Sequence, residues 1–195
     1  MLGFVVAIFF LLITPGPGVL SLAGVGSAYG YRHGARYFVG LFLGTNLVCL
    51  MVITGLAALL LAAPGLRILL TLASAAYLVW LAARIAFAGS RLAFIERPSP
   101  PGIRDGILLQ LLNPKAYVVN TTLFSGFAFM ADRPAMEMAL KLFILNAMWI
   151  SIHVIWLWLG VTLRRLNLSD QSQRRINMAM AAAMLAVVAL AAFAP

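Results

Sequence analysis

Thr14-Pro15-Gly16-Pro17-Gly18 and Leu112-Asn113-Pro114-Lys115-Ala116 are two proline breaks about a hundred residues apart, each set in long apolar sequence. Proline has no N–H, so in a helix the carbonyls of Leu11, Ile13 and Gln110 lose their i+4 donors. Freed backbone groups inside lipid are tolerated only where protein or a wet cavity satisfies them. Two such breaks at corresponding places in two halves of a chain mark the binding site of a secondary transporter. The pattern therefore predicts a chain that carries something small across a membrane.

Composition agrees with that reading. The chain has 195 residues, 64% hydrophobic and 10% charged, against roughly 45–50% and about 25% in a soluble domain. The net charge of +9 could suit nucleic acid, but the basic residues form short clusters between apolar runs, which argues against it. The one cysteine, Cys49, cannot form an intrachain disulfide. Residues 1–31 hold no Lys or Arg, so the basic start of a cleaved signal peptide is missing and the segment is expected to be a retained span. No metal-ligand spacing, phosphate loop, dinucleotide fingerprint or nucleophile elbow occurs. No cofactor, metal or catalytic residue is expected, and the chain does not read as an enzyme.

About 20 apolar residues cross the hydrocarbon. Six stretches are long enough: 4–30, 37–61, 68–89, 106–130, 142–163 and 176–193. Helix is expected in each, because lipid forces backbone groups to pair within their own segment. Short connectors at 31–36 and 62–67 and a longer one at 90–104, with Pro98, Pro100 and Pro101, separate them. One all-α membrane domain is predicted, with a first repeat at 1–89 and a second at 105–195. Three spans in each half make the second half enter from the opposite side, as in an inverted repeat. Arg32, Arg36, Arg84, Arg91, Arg97, Arg104, Arg164, Arg165, Arg174 and Arg175 follow the odd-numbered spans, against Arg67, Arg133 and Lys141 on the other side. The excess places the odd loops in the cytoplasm and both termini outside. Anionic lipid is a compatible partner for the same arginines.

The half-helices after Pro17 and Pro114 should present free N–H groups and a partial positive end. A zwitterion suits such a site, its carboxylate on the helix starts and its ammonium on freed carbonyls. The flanking Gly16, Gly18, Asn113 and Lys115 make two ordinary kinks the weaker reading. Lys115 reads as the only charge deep in a span, with Glu96, Asp105, Asp132, Glu137 and Asp170 in connectors. It must find carbonyls, water or a substrate anion, or lose its proton; the plainer reading is a lysine that snorkels beside the bend and only stabilises it. Asn146, Trp149, His153 and Trp156 share one helical face, as do Asn113, Tyr117, Asn120 and Phe124. His153 is a candidate proton relay, because imidazole can titrate near neutral pH, although a structural role is as common. Gly40 and Gly44 suit close helix packing, and Asn46 needs a partner in the bundle interior. His33 reads as a solvated residue.

The stretches TPGPG at 14–18, YRHGARYFVGLFLG at 31–44, AAYLVWLAARI at 75–85 and LLNPKAYVV at 111–119 resemble the lysine exporter family, also called the homoserine/threonine resistance family. The resemblance implies a six-helix inner-membrane exporter of amino acids or close derivatives, driven by proton motive force. Pro15, Gly16, Pro17, Asn113, Pro114 and Lys115 match its two re-entrant motifs. Gly18 stands where the first motif commonly ends in Asn. Acids that many members carry near Asn46 and His153 are absent, so a neutral or less polar substrate fits better than lysine. The expected substrate-binding set is Pro15, Gly16, Pro17, Gly18, Asn46, Asn113, Pro114, Lys115 and Asn120. A homodimer is compatible with this reading. A passive channel, or a membrane scaffold or enzyme, is the rival.

Overall fold

Pro17 and Pro114 both stand at the first position of a helix, where a missing N–H costs no intrahelical bond and the fixed φ is already helical. Each proline thus ends one helix and starts the next. The computed structural model describes residues 1–14, 16–62, 64–87, 99–166 and 168–193; Pro15 and most of the 90–104 connector lie outside them. Among the described residues the chain is all-α, with α1 (Leu2–Ile13), α2 (Pro17–Tyr29), α3 (Tyr31–Ile53), α4 (Leu56–Ala62), α5 (Pro64–Ala86), α6 (Ile103–Leu112), α7 (Pro114–Gly126), α8 (Pro134–Arg165) and α9 (Asp170–Phe193).

Two helices among the described residues, α3 and α8, are long and apolar enough to cross a membrane, and α1 with α2 make a third when taken as one span bent by 49°. Large apolar side chains lie on the outside, including Phe143 at 72% and Trp158 at 63% exposure. An apolar exterior of this extent suits lipid rather than water.

Three expectations change. The 31–36 connector is the first turn of α3, separated from α2 by the single residue Gly30 at φ 82°. His33 accordingly stands on a helix, half-buried, edge-on to Tyr29 at 6.5 Å. The stretch 37–61 is not one helix either: it breaks at Gly55, φ 77°, and Pro64, inside the expected 62–67 connector, opens α5. Both glycines sit in the left-handed region that other residues rarely adopt.

The third correction concerns charge. Lys115 is not the only charged side chain held inside a long apolar helix. α8 begins at Pro134, eight residues before its charge-free stretch, and carries Glu137 and Lys141 within it, both buried. They pair at 2.7 Å, one turn apart. Lys141 Nζ also donates to the Phe124 carbonyl at 3.1 Å, and Glu137 accepts from the Phe129 N–H at 2.9 Å. Buried charge persists only with such pairing, so this pair fastens the end of α7 to the start of α8.

Packing explains how α3 meets α6. A Cβ added at Gly40 would collide with the backbone of Ile103, and one at Gly106 would lie 2.6 Å from Leu41 N and Tyr37 O. The two backbones touch through glycine on both sides, the close approach that small residues allow. Gly40→Ala should therefore cost about 1–3 kcal/mol through overpacking. The check is the melting temperature of the purified variant in detergent, and an unchanged value would refute the contact.

Two apolar clusters flank the breaks. One gathers Leu20, Tyr37, Leu81, Leu109 and Leu157, and the other Phe4, Ile8, Cys49, Leu123 and Leu145. Their packing is unequal. Of thirteen residues each, α2 buries eleven and α7 five. The α2 end is tied further by Arg84 to Asp105 at 3.5 Å, Tyr77 Oη to the Asp105 carbonyl at 2.8 Å, and Tyr29 Oη to the Arg84 carbonyl at 3.0 Å. Arg164 caps that end by donating to the Ala28 carbonyl.

Candidate substrate site at the two helix breaks

The breaks in α1–α2 and α6–α7 come together around a cavity of about 60 Å³, room for several waters. Thr14, Gly16 and Gly18 line it from the first break, and Gln110, Asn113 and Lys115 from the second. Thr45 of α3, Asn120 of α7, and Trp149 and His153 of α8 complete its polar and aromatic wall.

Lys115 bridges the two breaks. Its Nζ donates to the Thr14 carbonyl at 2.6 Å, the carbonyl of the residue that caps the end of α1. Gly16 explains how the lysine reaches it: a Cβ there would lie 3.0 Å from Lys115 Cδ and 3.2 Å from Nζ. Any side chain at 16 would thus press on the ammonium stem. Gly16 is also the N-cap of α2 and offers no side chain to its first turn, so that turn, whose Gly18 and Val19 line the cavity, starts without a side-chain cap.

The second break is capped. Asn113 Oδ1 accepts from the Lys115 N–H at 3.1 Å, and Asn113 Nδ2 donates to Gln110 Oε1 at 3.1 Å. Gln110 Nε2 continues to Thr45 Oγ1 at 2.6 Å. The Gln110 carbonyl, which loses its i+4 donor to Pro114, is satisfied by the Asn113 N–H at 3.2 Å. Thr45, Gln110 and Asn113 thus form one buried polar chain. Only α2, not α7, keeps an uncapped start.

His153 is 3% exposed, and its ring stacks on Trp149 at 3.5 Å between centroids. Its Nδ1 lies 2.9 Å from the Trp149 carbonyl. A carbonyl only accepts, so Nδ1 carries the proton and Nε2 of the neutral ring is left as an acceptor. Nε2 faces the first break, 3.6 Å from where a Gly18 Cβ would sit, as does Gln110 Nε2 on the same side. A larger residue at 18 would meet both.

Of the residues singled out from sequence, Gly16, Gly18, Asn113, Lys115, Asn120 and His153 share the cavity. Pro17 and Pro114 set the helix starts behind it, and Pro15 lies outside the described residues. Asn46 is not in the lining. Its carboxamide and that of Asn146 exchange two hydrogen bonds at 3.0 Å, locking α3 to α8 beside the cavity. Asn120 accepts from Cys49 at 3.1 Å and donates to the Ala116 carbonyl at 2.7 Å. Gln110 and Thr45 were missed. The signal for Gln110 was there: a polar residue three before Asn113, on the same helical face, in apolar surroundings. Thr45 was overshadowed by its neighbour Asn46.

Known proteins are similar to parts of this sequence. The chain is 29% identical over 129 residues to the leucine efflux protein of Enterobacter sp. (strain 638), covering 64% of this chain and 61% of that protein. It is 33% identical over 116 residues to the cysteine/O-acetylserine efflux protein of Salmonella typhi, covering 59% of this chain and 58% of that one. The protein of that name from Escherichia coli O1:K1 / APEC is 28% identical over 170 residues, 87% of this chain and 85% of its own length. For the first two, the match therefore spans about three fifths of the relative's length. No solved structure matches the chain. The model of the LysE type translocator family matches residues 9–194, the two proline breaks and the helices between and after them included, and the chain belongs to that family of membrane translocators.

Proposed function

We propose that the chain exports small neutral amino acids or close derivatives across the inner membrane. In this reading it spans the membrane six times as a 3+3 inverted repeat, 1–89 against 105–195, works by proton-coupled alternating access, and has its arginine-rich loops in the cytoplasm. The observation that carries the proposal is the Lys115 bridge: one cation, reached from one helix break, rests on a carbonyl of the other, at 2.6 Å.

The bridge suggests how a zwitterion is taken. A carboxylate arriving at the uncapped start of α2 draws Lys115 Nζ from the Thr14 carbonyl. That carbonyl is then free to accept from the substrate's ammonium. Binding exchanges one charge-assisted contact for two, so the empty site keeps its lysine satisfied and the loaded site satisfies both ends of the ligand. Among the described residues no carboxylate lines the cavity, so a second cation on the substrate side chain would meet Lys115 unopposed. Leu11, Leu12, Val19 and Leu145 in the wall favour an apolar or short side chain. The names of the relatives, leucine and cysteine/O-acetylserine efflux proteins, agree with neutral substrates.

The unequal packing of α2 and α7 supports a state closed at the arginine-rich end. Export then requires that end to open, with Arg84 and Asp105 parting. The cell-level test is overproduction of the protein. Leucine, cysteine or O-acetylserine should accumulate outside and become less toxic, while lysine should not. Export of lysine alone would overturn the neutral-substrate reading.

His153 is the proposed proton relay, its Nε2 toward the cavity. His153→Gln keeps hydrogen-bonding capacity but cannot titrate. The variant should bind substrate yet lose the dependence of transport on an imposed pH gradient in vesicles. Full coupling in His153→Gln would move the proton to water at the breaks or to Lys115.

A further inference from the structure

A second concavity lies on the outside of the molecule, away from the helix breaks. It is a groove of about 300 Å³ between the first turns of α3 and the last turns of α8. Phe38, Val154, Leu157 and Trp158 form its apolar wall, and Tyr31 and Arg165 stand at its mouth. Tyr31 is 65% and Trp158 63% exposed, so large aromatic surface is left uncovered there.

We propose that this groove is a binding site for one anionic phospholipid, with an acyl chain along Phe38, Leu157 and Trp158 and the headgroup phosphate on Arg165. Three features select this occupant. The first is length. From Val154 to Arg165 the α8 wall rises about 16 Å at 1.5 Å per residue, which matches one leaflet of a hydrocarbon core about 30 Å thick. The second is polarity along that length. His153, beside Val154, belongs to the internal cavity, while Arg165 closes the helix, so the groove runs from mid-depth to the interface and turns from apolar to cationic. Tyr31 at the same end is the amphipathic aromatic expected at headgroup level. The third is charge. Arg32 and Arg36 are exposed on the same end of α3, and among the described residues no carboxylate lines the groove. Basic pockets between membrane helices recognise phosphate headgroups in this way.

Purified protein in detergent, titrated with phosphatidylglycerol and with phosphatidylcholine of identical chains, tests the site by native mass spectrometry. Glycerol phosphate, which carries an anionic phosphate and no chains, forms the third arm. We expect phosphatidylglycerol to bind in preference to phosphatidylcholine and glycerol phosphate not to bind. Arg165→Gln should lower phosphatidylglycerol affinity about fivefold, the value of one basic residue near anionic lipid, and lower phosphatidylcholine affinity less, because the choline cation offsets its phosphate. Trp158→Ala should weaken both lipids. Equal binding of the two lipids by the wild-type protein, which needs no variant to fold, overturns the proposal. So does binding of glycerol phosphate as tight as that of phosphatidylglycerol, or an undiminished lipid preference in Arg165→Gln.

Discussion

Lys115→Met should lower substrate affinity about 10–100-fold, the equivalent of the 1.5–3 kcal/mol carried by a hydrogen bond to a charged group. The variant keeps the length and apolar packing of the side chain and removes only the ammonium. Nothing else charged lines the cavity among the described residues, so no neighbour can take its place opposite a carboxylate. The loss of the Thr14 contact frees a carbonyl at a site already open to water, which limits the structural damage. Binding of labelled leucine or O-acetylserine to purified protein is the readout, with the melting temperature as a control for folding. Normal affinity in a folded Lys115→Met would make the lysine a strut between the two breaks and nothing more.

The triple variant Pro15→Ala, Pro17→Ala, Pro114→Ala should insert stably and export nothing. Alanine returns an N–H to each site, so Leu11, Ile13 and Gln110 can regain helical donors, and it removes the rings that exclude a continuous helix. The penalty removed is the one that forbids the continuous helix, in whose interior each proline would cost about 3 kcal/mol relative to alanine. A straightened α1–α2 loses its 49° bend and with it the uncapped helix start beside Lys115. Export should fall below detection while the amount of protein in the membrane is unchanged. Retained export would reduce the two proline breaks to ordinary kinks.

The two breaks were legible because proline acts locally. Its missing N–H and fixed φ decide the backbone at Pro17 and Pro114 whatever surrounds them, and both became helix starts. The shared faces were legible for a similar reason. Asn113, Tyr117, Asn120 and Phe124 recur at helical spacing and are all buried, as are Trp149 and His153. Partners were not legible, because they come from segments far apart in sequence. That Asn46 needs a polar partner follows from its place in apolar sequence. That the partner is Asn146, a hundred residues on, depends on how α3 crosses α8. Glu137 and Lys141 show the converse error. A span read as beginning where charge ends puts both in a loop, yet a mutual ion pair, the Phe124 carbonyl and the Phe129 and Met130 N–H groups let the helix hold them. The breaks at Gly30 and Gly55 were hidden among other glycines, since only position in the fold decides which of them turns left-handed.

Counterflow across vesicles that hold the purified protein tests the central claim, that the paired breaks form a carrier site for a neutral zwitterion. Vesicles are preloaded with unlabelled leucine, or with O-acetylserine, and labelled substrate is added outside without any ion gradient. The account predicts transient accumulation of label above its equilibrium level, abolished in Lys115→Met and not produced by preloaded lysine. Simple equilibration without overshoot would show a passive pore, and undiminished overshoot in Lys115→Met would take the substrate away from the helix breaks.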